Sequence, residues 1–398
     1  MSDRLSERGD PTRQLRPVRV LHLIDSLGAG GAERSLAEMA PRLAAYGVEP
    51  EIAVFHQRDV GVTEDVLAAG VRIHHVAGRS RPQRLWALRR LLAARRPDVL
   101  HTTLYEADVL GRIAGASLRI PMVTSLVNAS YSSHRRADPR VRAWKLDAAR
   151  RIDAFTARRL GAGFHAITHA VADAAVNDLG ISRTQITVIP RGRSLERLGE
   201  PSPERRRKVR QRLGIDDSAF VVLNVGRREF QKGQDCLVQA AALLRDRACP
   251  VQLLIAGRDG SESTHLGRLT RELDLMDSVR FLGHVDDVPD LMAAADVFVF
   301  PSRFEGLGGA VLEALAMKVP IVATTIPALA EVLDNGHLGI LVGVDDSEAI
   351  AAGIEAIRAD PVSAEHRASA GREKKFLTYY ALEAVCASMA SWLLEHGS

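Results

Sequence analysis

Polar and apolar positions fall into a repeating block along this chain. A short run of β-formers gives way to a turn, and a helix-period stretch follows. In the first half the apolar runs are Val18–Ile24, Glu51–Phe55, Val71–Val76, Asp98–His101, Pro121–Val127, Gly163–Thr168 and Ile186–Pro190. In the second half they are Phe220–Gly226, Val251–Ala256, Val279–Val285, Val297–Phe300, Pro320–Thr324 and Gly339–Gly343. Continuous apolar runs of this length predict buried strands. Between them, Arg84–Arg96 places Leu85, Leu88, Leu91 and Leu92 on one helical face. Arg135–Leu160 predicts one or two basic helices, and Arg372–Leu394 predicts closing helices. Thr102–Asp108 is expected as a loop at a strand's carboxyl edge. Strands that alternate with helices predict parallel, doubly wound sheets in both halves.

A chain of 398 residues is long for one domain. The Pro/Ser turn and charged helix at Glu200–Leu213 mark the boundary. The expected division is a disordered tail over 1–16, a first domain over 17–195, a second over 205–375, and a final helix over 376–398 that crosses back. Hydrophobic content of 46% with 26% charged residues fits a globular chain. No apolar run reaches the roughly 20 residues of a membrane span, and the N-terminus has no signal-peptide core. Cys236, Cys249 and Cys386 lack metal spacing and read as free thiols in a reducing compartment. The expected location is cytoplasmic. Charge is uneven: Arg79–Arg159 holds 18 Lys+Arg against 6 Asp+Glu. That region is either a solvated face or a surface that meets an anionic membrane at its inner face.

The chemistry gathers at three strand-to-helix turns. Asp296–Lys318 reads DVFVFPSRFEGLGGAVLEALAMK, with Glu305 and Glu313 separated by seven residues. The amides of Leu307, Gly308 and Gly309 would open a helix, and unpaired helix N-terminal amides attract anions. Carboxylates repel phosphate but accept hydroxyls. A nucleotide-sugar, with an anion between hydroxyl-rich rings, satisfies both. Asp25–Arg34 carries Gly28, Gly30, Gly31 and Glu33. It departs from the dinucleotide fingerprint, because Glu33 stands where a third glycine is needed. That argues against an oxidoreductase using NAD. Gly226-Arg227 leads to Lys232-Gly233, a fork of donors and a point charge suited to phosphate.

In this order, the Gly-Gly-Ala-Glu loop, Gly-Arg…Lys-Gly and Glu-x7-Glu resemble the retaining GT4 glycosyltransferases. The resemblance spans about residues 18–395. It implies α/β architecture, with two Rossmann-like doubly wound parallel-sheet domains facing across a cleft, the GT-B fold. It implies sugar transfer from a nucleoside diphosphate sugar, UDP favoured over GDP, to a hydroxyl acceptor in bacterial polysaccharide, glycolipid or glycoconjugate synthesis. Glu305, Arg227 and Lys232 are the implied catalytic residues. Donor binding falls to Gly30, Gly31, Arg227, Lys232, Gly257, Val285, Leu307, Gly308, Gly309 and Glu313. Tyr105 and Asn128 are acceptor-side candidates.

No Asp-x-Asp occurs, so neither metal nor cofactor is expected, and no nucleic-acid partner. Two positions depart from the family pattern. Many members have a histidine where this chain has Val127 and Asn128. Where members read Asn-Gly-x-Asp, this chain reads Arg191-Gly192-Arg193-Ser194. These arginines either face the cleft anion or pair with acids across the hinge. A nucleotide-sugar epimerase, or a non-catalytic sugar-nucleotide-binding partner of another transferase, are the alternatives.

Overall fold

The computed structural model describes residues 16–28 and 30–397. The tail expected over 1–16 lies outside the described residues except for Arg16. Seven strands form the first sheet: β1 (Val18–Ser26), β2 (Val48–His56), β3 (Arg72–His75), β4 (Val99–Thr103), β5 (Met122–Leu126), β6 (Gly163–Ala166) and β7 (Ile186–Val188). Six form the second: β8 (Val221–Val225), β9 (Gln252–Ala256), β10 (Val279–Gly283), β11 (Val297–Phe300), β12 (Ile321–Thr324) and β13 (Ile340–Val342). The spatial orders are β3-β2-β1-β4-β5-β6-β7 and β10-β9-β8-β11-β12-β13, with every pairing parallel.

Each order reverses beside its first strand, between β1 and β4 and between β8 and β11. Open parallel sheets bind ligands at the carboxyl ends of such switch points. The loops after β1, β8 and β11 therefore converge on one cleft. Val297, Phe298, Val299 and Phe300 are all buried because helices cover both faces of β11. Burying a phenylalanine of this kind is worth about 1.5–3 kcal/mol.

Several local expectations change. The helix expected from Arg84 begins at Arg81, because Ser80 and Gln83 form a reciprocal cap with Pro82 in the first turn. Thr102–Asp108 is not a loop. Thr102 and Thr103 end β4, and a helix runs from Tyr105 to Leu118. Leu104 makes the turn in the left-handed region, at φ 78°. Asp25 then accepts the amide of Ala107 at 2.8 Å and caps that helix from the end of β1. The closing segment is divided. Gly371–Tyr380 is a π-helical stretch, Ala381 is extended, and a final helix runs Leu382–Gly397. That final helix lies in the first domain, where Leu382, Cys386, Met389, Trp392 and Leu393 join its buried cluster.

The two domains are in contact across the cleft. Thr168 donates its hydroxyl to the Gly306 carbonyl at 3.0 Å. Glu331 of the second domain accepts the amides of His169 and Ala170, capping the His169–Leu179 helix. Arg140 reaches Glu229 and Ser261. Among the described residues, no helix is long and apolar enough to cross a membrane.

Candidate functional site

The loop after β11 is built to bring backbone amides and carboxylates to the cleft. Gly308 sits at φ 81°, a conformation that costs a residue with a β-carbon, and it caps the Gly309–Ala316 helix. A β-carbon on Gly306 would stand 2.3 Å from the Val127 carbonyl of the first domain. Glycine thus lets the two domains close on each other. Glu313 occurs just over one turn into that helix, on the cleft side.

Lys232 donates to Glu305 Oε1 at 2.5 Å, and its ammonium lies 5.0 Å from the Phe300 ring centroid. The structure therefore brings together two of the sequence-predicted residues, separated by 73 positions in the chain. Their side chains are mostly buried, so each charge gains from its partner. Arg227 is exposed at the cleft, with no hydrogen bond or ion pair from its side chain among the described residues. Gly257 packs against Gly226 and Arg227, since a β-carbon there would stand 2.0 Å from the Gly226 carbonyl. Val285 is half-buried and packs against the core cluster of which buried Leu307 is a member.

On the first domain, Gly30 precedes the Gly31–Leu43 helix. Glu33 folds back over it, and a β-carbon on Gly30 would stand 2.3 Å from Glu33 Oε2. Asn128 lies opposite Gly306, and its Oδ1 is buried with no partner among the described residues. Tyr105 is in the first turn of its helix, with the Arg81 guanidinium 6.0 Å from its ring centroid. Its placement in a helix, rather than a loop, fixes its backbone. Neither Tyr105 nor Asn128 makes a side-chain hydrogen bond to Glu305 or Lys232.

The hinge treats Arg191 and Arg193 differently. Arg193 pairs with an acid across the hinge, its Nε donating to Glu313 Oε1 at 3.1 Å. Its Nη1 reaches Ser35 at 3.4 Å and the Gly192 carbonyl at 2.9 Å. Arg191 has no acid partner within hydrogen-bond distance among the described residues; it lies against Gly31. Burial, with Arg193 nearby, pushes the Arg191 guanidinium down to about 10.

Sequence reasoning missed the residues that brace this site. Buried Arg303 donates to Asp345, Asp235 and the Phe230 carbonyl, each at 2.7 Å, and stacks over the Phe230 ring. It ties the loop after β11 to the turn that carries Lys232. Gln234 donates to Asn224 Oδ1 at 2.8 Å and to the Gly226 carbonyl at 3.1 Å, and Asn224 donates to Val299. The signal for Arg303 was weak: one arginine after a Pro-Ser turn, with partners 42 and 68 residues away.

A second missed feature runs beneath the cleft in the first sheet. His165 Nε2 donates to the Ile189 carbonyl at 2.5 Å. A carbonyl only accepts, so His165 Nδ1 must accept from Ser125 Oγ, 2.8 Å away. Ser125 then accepts from His101 Nε2 at 2.7 Å, and His101 Nδ1 from His22 Nδ1 at 2.7 Å. One carbonyl thereby fixes three tautomers across four strands.

The comparisons agree on one family. Residues 205–375 match the family described as Glycosyl transferases group 1, and residues 30–192 match the Glycosyl transferase 4-like domain. A D-inositol 3-phosphate glycosyltransferase of Catenulispora acidiphila is 31% identical over 359 residues, 82% of this chain and 81% of the relative. A mannosylfructose-phosphate synthase of Agrobacterium fabrum is 33% identical over 192 residues, 46% of this chain and 42% of the relative. Among solved structures, Anabaena HepE in complex with UDP superimposes at a TM-score of 0.81 with 23% identity, covering 95% of this chain and all of that one. WaaG, a glycosyltransferase involved in lipopolysaccharide biosynthesis, does so at 0.75 with 18% identity, covering 94% and 99%.

Proposed function

Since the chain belongs to the GT4-type glycosyltransferases of GT-B fold, we propose that it is a retaining, metal-independent enzyme that uses a UDP-sugar. The observation that carries this reading is the Lys232–Glu305 pair at the loop that leads into the Gly309 helix, at the switch point where Arg227 follows β8. Arg227 and the amides of Leu307, Gly308 and Gly309 hold the diphosphate. Lys232 neutralises charge that grows on it as the sugar bond breaks, a stabilisation already in place before reaction. Glu305 orients sugar hydroxyls and Glu313 the ribose. The acceptor hydroxyl enters from the side of Asn128 and Tyr105, on the face that the leaving group vacates, and the anomeric configuration is kept. Structures of Anabaena HepE with UDP and with UDP-glucose support a uridine donor.

Calorimetric titration with UDP, GDP, ADP and NAD, on the native chain and on Arg227→Ala, tests the reading. UDP should bind, and the variant should lose roughly 1.5–3 kcal/mol, a charge-assisted contact. Binding of NAD alone would remove the transferase reading.

The acceptor side carries one further observation. The Ala143–Leu160 helix exposes Trp144, Ile152 and Phe155, which are 65%, 45% and 59% accessible, among Arg142, Lys145, Arg151 and Arg159. Spacings of eight and three residues put the three apolar groups on one outward stripe. We infer a face that rests on an anionic membrane and takes a lipid-linked acceptor. Flotation with anionic vesicles at low salt should carry the protein, and Trp144→Ala with Phe155→Ala should release it.

A further inference from the structure

The hinge that joins the domains carries two arginines, and each one stands against the glycine loop of a different domain. Arg193 lies at Gly309, where a β-carbon would be 2.2 Å from its Nη2. Arg191 lies at Gly31, where a β-carbon would be 3.6 Å from its Nη1. Both glycines open helices, and the first amides of those helices also carry partial positive charge. Two guanidiniums and two helix N-termini thus meet along one short stretch of chain.

Like charges held this closely need something negative between them. Glu313 meets only part of that need, since it takes Arg193 Nε. Arg193 is 7% exposed, and its Nη2 has no hydrogen-bond partner among the described residues. Glu33 lies nearby, but its carboxylate is turned over Gly30. The hinge itself is fixed. Arg193 donates its amide to the Tyr380 carbonyl at 2.9 Å and accepts from the Leu382 amide at 3.1 Å. The crossing chain therefore holds the arginines in place on both sides.

We propose that Arg191 and Arg193 bind the donor's diphosphate from the hinge, one guanidinium to each glycine loop. The inference rests on the nucleotide-sugar reading above and adds to it. Arg193 also positions Glu313. It occupies Oε1 and leaves Oε2 to accept a ribose hydroxyl. The arrangement ties the anion to closure, because the two arginines bridge loops from both domains.

Calorimetry with UDP and with uridine separates the roles, on the native chain, Arg227→Ala, Arg191→Gln, Arg193→Gln and Arg193→Lys. Gln is chosen because it keeps hydrogen-bonding capacity at the hinge, and thermal melts establish that each variant folds. The expected result is at least a tenfold weaker UDP affinity for each Gln variant, with uridine changed less than threefold and Arg193→Lys recovering part of the loss. If Arg193 only latches the domains through Glu313, Arg193→Gln would weaken UDP and uridine alike, or tighten uridine by freeing the carboxylate. Either pattern overturns the proposal. UDP binding that Arg227→Ala weakens but both Gln variants leave intact also overturns it and spares the donor reading. A native chain that binds no UDP, GDP or ADP overturns both.

Discussion

The two domains share a topology but place their largest polar groupings differently. In the first domain the largest networks lie within the sheet and its covering helices and bond mostly to one another, although Arg112 Nη2 and His22 Nε2 keep no partner among the described residues. Arg112 is fully buried, and its fork reaches Asp153 at 2.6 Å and Thr156 at 3.1 Å, with Nε on Thr124. Tyr131 adds a hydroxyl to the same aspartate at 2.8 Å, and burial, then that carboxylate, pushes the phenol well up. The imidazole row ends on a backbone carbonyl. In the second domain Arg303 and Gln234 are well bonded, but the groups they brace at the sheet's carboxyl edge are not: Arg227 is exposed, and Lys232 and Glu305 share one contact. Closed clusters hold a sheet in register, whereas open ones await a ligand. The difference teaches where to look for chemistry, because burial alone would have pointed to the wrong domain.

Acid should break the closed side first. Burial pushes His22 and His165 down to about 4, and His101 well below its usual value. Free imidazoles titrate near 6.5, so protons favour the unfolded chain. Stability is complete above about pH 6.5 and falls towards pH 4, by about 3 kcal/mol for each imidazole shifted that far. Asp25 opposes this, since burial raises it to about 6 and its protonation favours the folded chain in the same window. Urea titrations from pH 7 to 4.5 should show the loss, and Asp25→Asn should steepen it. Next in size, Arg112→Met leaves Asp153 buried without its cation and should cost about 3–5 kcal/mol in the same assay. Nucleotide affinity should hardly change under conditions where that variant stays folded.

The open side should respond in the other sense. Lys232→Ala should lower kcat by about 10²–10³, or 2.7–4 kcal/mol of barrier, while the melting temperature shifts by only a few degrees. Smallest of all, Ser125→Ala interrupts the imidazole row and should cost about 1–3 kcal/mol of stability, with no effect on donor binding. A variant that moved both readouts equally would erase the contrast between the domains.

What could be read in the chain follows the same division. Strand runs and glycine turns are local, so both sheets, the three cleft loops and the Lys232 and Glu305 positions were legible from pattern. The imidazole row was not. Its members are spaced by 79, 24 and 40 residues, and their partnership exists only once β1, β4, β5 and β6 lie side by side. Arg303 was missed for the same reason. Tyr105 was read in a loop because Leu104 offers no local helix cap; the cap comes from Asp25, 82 residues before Ala107. The Arg193–Glu313 pair was one of two readings, and sequence had no means of choosing a partner 120 residues away.

The helix that begins at Leu382 has a consequence for synthesis. It supplies Leu382, Met389, Trp392 and Leu393 to a core whose other members, from Val20 to Ile189, leave the ribosome far earlier. At the usual 5–20 residues per second, the roughly 190 residues between Ile189 and Leu382 take on the order of 10–40 s. Through that interval the nascent first domain has an apolar groove with nothing in it. The second domain is synthesised while its neighbour still lacks its last piece.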